Sequence, residues 1–213
     1  MGLFNRTKPG TTTTPVAPAA AAPAFEAGTT AIDDLAGDYT IDAAHTRIGF
    51  SARHAMVTTV RGQFAEFEGT AHIDTQNPAA SSAKVSIRAA SINTGQPDRD
   101  GHLVSADFFD VETFPEITFV ATDVARVDAG TWTVTGDLTI KGVTRPVSID
   151  FESNGSAKDP FGNLRAGFEG STTINRKDWG LTWNAALETG GVLVSDKIKL
   201  EFDVSAVAVP ATV

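Results

Sequence analysis

From residue 39 to residue 208 the chain alternates between oily and polar side chains, and that alternation leaves little choice of architecture. The segment TWTVTGDLTI sets Trp132, Val134, Gly136, Leu138 and Ile140 against Thr131, Thr133, Thr135, Asp137 and Thr139. In extended backbone successive side chains point to opposite faces, so a period of two makes one face apolar and leaves the other to water. The same rhythm places Ile48, Phe50 and Ala52 opposite Arg47, Gly49, Ser51 and Arg53, and Val85, Ile87 and Ala89 opposite Lys84, Ser86 and Arg88. It recurs at Ile117, Phe119 and Ala121, at Val147, Ile149 and Phe151, at Ala166, Phe168, Gly170, Thr172 and Ile174, and from Ile198 to Ala206. Apolar residues at helical spacing are nearly absent.

With the stretch 64–73 this pattern predicts about eight strands, separated by the turn-forming DTQNPAAS, VDAG, KGVTRP and SNGSAKDPFGN. Strands with one apolar face must hide it, and an antiparallel sheet that curls on itself does so without leaving open edges. The expected fold is an all-β, antiparallel, eight-stranded barrel, with a two-sheet sandwich as the alternative. A barrel of about this size is just wide enough to be filled by its own side chains or to hold one small ligand. Two stretches break the rhythm. Residues 93–116 are too long for a hairpin, and Asp98 or Asp100 is placed to cap a short helix through RDGHLVSADFF. Residues 175–196 carry Trp179, Trp183 and the pair Gly190 and Gly191. Connections of this length usually carry function or structure of their own, and both are expected to cover one end of the barrel.

The totals remove several classes of function. A chain of 213 residues suits one domain with a sizeable core. Its net charge of −9, with no segregated basic face, argues against nucleic acid as a partner. There are no cysteines, which removes disulfides, thiolate nucleophiles and Cys-ligated metal centres. No apolar run approaches the roughly 18 residues of a spanning helix, so no transmembrane segment is expected. Residues 1–36, rich in Thr, Pro and Ala, are expected to form a disordered tail, with the barrel in 37–213. Prolines interrupt any secretory apolar block, and Arg6 stands where a myristoylation signal needs Ser or Thr. The absence of a recognisable signal peptide points to the cytoplasm.

Among the side chains able to do chemistry, His45, His54, His72 and His102 show no metal-ligand spacing, and no metal site is expected. His54 continues the apolar face of Ile48, Phe50 and Ala52, where it is either a satisfied core histidine or a contact to a ligand head group. Arg53, Arg61, Arg99, Arg176 and Lys177 sit near strand ends or in long connections, where they either pair with Asp98, Asp100, Asp107 and Asp178 or receive a polar head group. Neither Gly-x-Ser-x-Gly nor a phosphate-cradling loop occurs, so no catalytic set is assigned. Phe108, Phe109 and Phe114 lie in a connection just before Phe119, and such rings must bury themselves against something. They plug the barrel end or form its entrance.

Four ordered segments carry a resemblance: YTIDAAHTRIGFSARHAMVTTVRGQFAEFEGTAHID, RDGHLVSADFFDVETFPEITF, VTGDLTIKGVTRPVSIDF and AGFEGSTTINRKDWGL. Together they resemble the YceI family, lipocalin-like proteins associated with polyisoprenoid binding, over about residues 38 to 208. The resemblance implies a barrel whose apolar channel takes up a lipid tail, with a bound polyisoprenoid or isoprenoid quinone as the expected ligand and no cofactor. His45, Arg53, His54 and Arg61 match the first motif, and Arg99, His102, Leu103, Phe108, Phe109 and Pro115 the second. Asn175, Arg176, Trp179 and Gly180 match the last. Among interior positions Phe50, Phe119, Trp132 and Phe168 are expected to line the channel with Trp179. Many family members are exported, whereas no export signal is recognisable here. The expected role is non-enzymatic binding, transport or storage of the lipid. The alternatives are an enzyme using His54 or His102 as acid or base, and a filled barrel serving as an interaction module. Pairing of barrels into a homodimer stays open.

Overall fold

The computed structural model describes residues 35–188 and 190–210. The expected tail therefore lies outside the described residues, apart from Leu35 and Ala36. The elements run β1 (Gly37–Ile41), β2 (Arg47–His54), β3 (Thr58–Phe64), β4 (Phe67–Ile73), β5 (Ser82–Arg88), β6 (Ile92–Asn93), α1 (Pro97–Val104), β7 (Glu116–Arg126), β8 (Thr131–Ile140), β9 (Val143–Lys158), β10 (Leu164–Asn175) and β11 (Val194–Ala208). Every strand pairing is antiparallel, and eight strands close a ring in the order β1, β4, β5, β7, β8, β9, β10, β11 and back to β1. No sandwich forms. Among the described residues no helix is long and apolar enough to cross a membrane.

The three strands outside the ring extend strands within it. The C-terminal part of β11 pairs with β1, with Ile41 opposite Ala206, and its earlier part pairs with β2, with Ala52 opposite Ile198. Thus β1 and β2 lie end to end along one edge of β11, and β3 with β4 and β5 with β6 are broken in the same way. Counted by these continuous paths, the chain is an up-and-down meander whose sequence neighbours are also spatial neighbours. The β8–β9 connection is a two-residue turn at Lys141 (φ 49°) and Gly142 (φ 72°), the left-handed pair whose twist matches that of the flanking strands.

Asp42 holds the bend between β1 and β2. Its carboxylate accepts the Ala44 N–H at 3.0 Å, lies 2.7 Å from His45 Nδ1, and takes a charge-assisted hydrogen bond from Arg165 on β10. Arg165 Nε also reaches Asp159 at 3.0 Å, so one guanidinium ties the bend to the β9–β10 turn. Arg165 and His45 pull the Asp42 carboxyl down from 3.8 to about 2, and Asn163 with Arg165 does the same to Asp159. A carboxylate held below its ordinary value contributes stability above that value and loses it as pH falls through the folded one. Acid unfolding should accordingly set in as pH drops from about 4 to about 2. Asp42→Asn should lower Tm at neutral pH by about 2–4 °C, and its loss of stability over that acid range should be shallower than the parent's. Thermal melts across pH check both.

A capped apolar channel

The interior is set by the inward halves of the strands. Around the ring, cross-strand partners on the inner face meet in rows, such as Trp132, Phe151, Gly170, Phe202, Ile48, Phe64 and Ile92. Leu138, Ile140, Val147, Ile149 and Ile174 are buried on the same surface. These side chains leave the middle open, enclosing a cavity of about 700 Å³ whose walls are mostly apolar. That volume is within the range of small-molecule and cofactor pockets. The filled-barrel alternative is set aside by this cavity.

The hollow has a local cause. Phe50 stands directly opposite Gly62, and Phe151 opposite Gly170, so each ring lies against the neighbouring strand where a side chain would otherwise stand. A Cβ built on Gly170 would fall 2.5 Å from Phe151 Cδ1, and one on Gly62 or Gly136 would collide with the ring of Phe50 or Phe119. Glycine on the inner face thus lets large rings fold onto the wall. These glycines occupy inward positions of the alternation, and in the sequence they read only as gaps in it.

One end of the channel is covered by both stretches that broke the strand rhythm. Helix α1 is capped by Gln96, whose side chain accepts the Arg99 N–H at 2.7 Å, with Pro97 opening the first turn. Neither Asp98 nor Asp100 is the cap: Asp100 instead accepts from the Thr94 N–H at 3.0 Å and from its hydroxyl. The His102 ring stands edge-on to Phe108 at 5.1 Å and to Trp183 at 4.6 Å, and Phe108 lies 5.2 Å from Trp183. Phe109 meets Phe64, which in turn meets Phe50. The phenylalanine-rich connection and the tryptophan-rich one therefore seal against each other. Trp183, which the sequence did not single out as a site residue, closes this seam; it stands in an irregular stretch where alternation carries no information.

Arg176 fixes the second cover. It is 4% exposed and donates to the carbonyls of Leu181 (2.6 Å), Trp183 (2.8 Å) and Ser195 (3.1 Å), and to Asp196 at 3.3 Å. Burial pushes its guanidinium below its ordinary value, opposed by Asp196. Its fork serves backbone carbonyls, which have no other way to be satisfied in a buried irregular segment. Trp179 is also structural: it is buried and donates Nε1–H to Leu138 O at 3.0 Å.

Of the residues expected at a ligand, Phe50, Arg53, His54, Arg99, His102, Leu103, Phe108, Phe109, Phe119, Trp132 and Phe168 all line the cavity. His45, Arg61 and Trp179 lie elsewhere. His45 is an exposed partner of Asp42 at the bend, Arg61 points outward beside Ser51, and Trp179 packs behind the channel wall. At the covered end Arg53, His54, Arg99 and His102 line the cavity together, three of them partly engaged: Arg53 with Thr59 and the Met56 carbonyl, Arg99 with Thr94, His102 with Asp107 at 3.0 Å. Among the described residues no group of three or more His, Asp or Glu is arranged to hold a metal ion. The far end is closed by Leu35, expected in the tail but buried against Tyr39, Ala166 and Ala206.

An antiparallel barrel with an apolar channel, polar at one covered end, defines a class of binding fold, and the comparisons place it. The YceI-like domain model matches residues 39–206, and the chain belongs to that family. A UPF0312 protein of Pseudomonas syringae pv. syringae is 41% identical over 149 residues, covering 69% of this chain and 78% of the relative. One from Staphylococcus aureus is 39% identical over 165 residues, covering 77% and 94%. Among solved structures, the YceI protein of Campylobacter jejuni superposes with a TM-score of 0.64 at 31% identity, over 79% of this chain and 96% of that one. Burkholderia cenocepacia BcnA shares the fold with a TM-score of 0.68 at 24% identity, over 78% and 98%.

Gly170→Ala should cost about 1–3 kcal/mol through overpacking against Phe151, read as a lower denaturant midpoint, and adding Phe151→Leu should restore part of the loss. Arg176→Met should leave buried carbonyls unpaired at about 1–3 kcal/mol each, and amide exchange should speed up selectively across residues 181–195.

Proposed function

We propose that this protein binds a long-chain isoprenoid or related lipid in the barrel channel and carries or stores it without chemical change. The observation that carries the reading is the apolar hollow itself, about 700 Å³ and lined from the α1 end to Tyr39. A polyprenyl chain has no partners in water, and each CH₂ removed from water contributes about 0.8 kcal/mol. A wall of Phe, Ile, Leu and Val takes up such a tail with little directionality, while Arg53, His54, Arg99 and His102 at the covered end orient a polar head. An isoprenoid quinone suits both halves of this surface. A polyisoprenoid-binding domain from Saccharophagus degradans shares the fold, with a TM-score of 0.61 at 19% identity over 80% of this chain and 98% of that one. The His102–Phe108–Trp183 seam is the entrance, because it is where two connections meet by ring contacts without a strand ladder.

Extraction of the purified protein with organic solvent, followed by mass spectrometry, should release a long-chain lipid in near-stoichiometric amount. Clean extracts from both native and lipid-supplemented preparations would reject the reading.

A further inference from the structure

The turn that joins β2 to β3 carries side chains that water does not favour. It runs through Ala55, Met56 and Val57, and Met56 is 58% and Val57 75% exposed. Tips of this kind favour Gly, Asn or Asp, the more so where the backbone is left-handed, as it is at Ala55 (φ 48°) and Met56 (φ 60°). The turn is nevertheless firmly held. Val57 N–H donates to the His54 carbonyl at 3.1 Å, Arg53 Nη2 to the Met56 carbonyl at 2.9 Å, and Ala55 N–H to the Leu193 carbonyl at 2.7 Å. That last bond brings Val192, 39% exposed, alongside the tip. Three apolar side chains thus project from two connections that are pinned to each other.

The patch borders the mouth of the channel. Arg53, His54, Val60, Leu193 and Val194 line the cavity, and in sequence they flank the three exposed residues. The connection that carries Val192 also carries Trp183 of the seam, and its two sides are tied by Leu193 N–H to the Ala185 carbonyl at 2.9 Å and by Asn184 to the backbone of Val194. Phe161, 89% exposed in the β9–β10 turn, lies elsewhere. Strand β9 starts where Lys141 and Arg145 reach the Ala106 and Asp178 carbonyls of the two covers, so its last residues stand at the opposite end of the barrel. Charge does not account for the patch either. Arg53 and Arg61 stand behind the tip, but Asp98 and Glu188 are exposed on the covering connections, so this end carries both signs.

We infer that this tip is a membrane-docking element: Met56, Val57 and Val192 insert among the lipids of a bilayer and hold the mouth against it, so that the ligand passes between bilayer and channel without crossing water. This rests on the channel reading and adds the partner that the mouth engages. A long hydrocarbon leaves a bilayer for water slowly, because every CH₂ exposed on the way raises the barrier, and direct contact removes that step. Two or three apolar residues give only a brief and reversible hold, which suits a carrier that must leave with its load. Because the hold is apolar, it needs no anionic lipid.

The test follows radiolabelled geranylgeraniol into the delipidated full-length protein from two sources, phosphatidylcholine vesicles and a dilute ethanolic solution. Met56→Ser with Val57→Ser should slow loading from vesicles about fivefold or more, while loading from ethanolic solution and the final occupancy stay at parental values. Phe161→Ser, which removes exposed apolar surface at the other end, should load from vesicles at the parental rate. A parental vesicle rate in the double variant, or the same slowing in Phe161→Ser, overturns the docking tip and leaves the channel reading standing. Slowing from both sources also overturns it, because the tip then acts on the channel itself. If the double substitution converts a dimer to a monomer in sedimentation and leaves vesicle loading unchanged, the patch belongs to a second copy and the inference falls. No loading of the parent protein from either source overturns the channel reading and the docking tip together.

Discussion

Phe50, Phe119 and Phe151 rest on glycines of adjacent strands, and that contact decides whether the barrel is hollow or full. An eight-stranded barrel is at the size where its own side chains can fill it. Had those rings pointed toward the axis, they would have met in the middle. Folded onto Gly62, Gly136 and Gly170 they become wall instead of contents, keeping their apolar area while giving up the space between. Everything about ligand capacity follows from this exchange. It also explains why so hydrophobic an interior does not collapse: the strands that hold the rings apart are fixed by a closed ladder.

The two ends of that hollow are chemically different because they are made by different parts of the chain. At the α1 end irregular connections cross the opening, and irregular backbone needs partners, which Gln96, Thr94, Arg99 and Arg176 supply. Polar side chains recruited for that purpose sit beside the opening and so become available to a head group. At the other end short turns close the strands, and Leu35 packs against Tyr39, Ala166 and Ala206 to fill the gap. Arg165 and Asp42 hold this end to the bend that lets one edge of β11 serve both β1 and β2.

Much of the fold could be read in advance. Alternation is a local property, so the strands from Ile48 to Ala206 and their inward faces were legible one segment at a time. The placement of Phe50, Phe119, Trp132 and Phe168 on the cavity follows from the same parity. Residues in irregular segments obeyed no such rule. Arg176 was weighed as a partner of nearby aspartates or a head-group contact and is a buried staple, Trp179 was expected at the ligand and anchors the wall, and His45 belongs to a turn. The expected aspartate cap on α1 failed because the helix begins at Pro97, which puts Gln96 at the cap and Asp98 and Asp100 inside the first turn, where Asp100 binds Thr94.

By itself the sequence determined an antiparallel barrel of eight strands, the inner and outer faces of the strands it identified, the interruption of the pattern at two connections, and the family. These depend on side-chain parity and local turn chemistry, which need no knowledge of distant contacts. Only the tertiary structure decided that the barrel is hollow and that the two connections meet at His102, Phe108 and Trp183. A cavity is the volume left over when every wall has closed. No segment contains it, because it depends on how rings from one strand fold against glycines of the next.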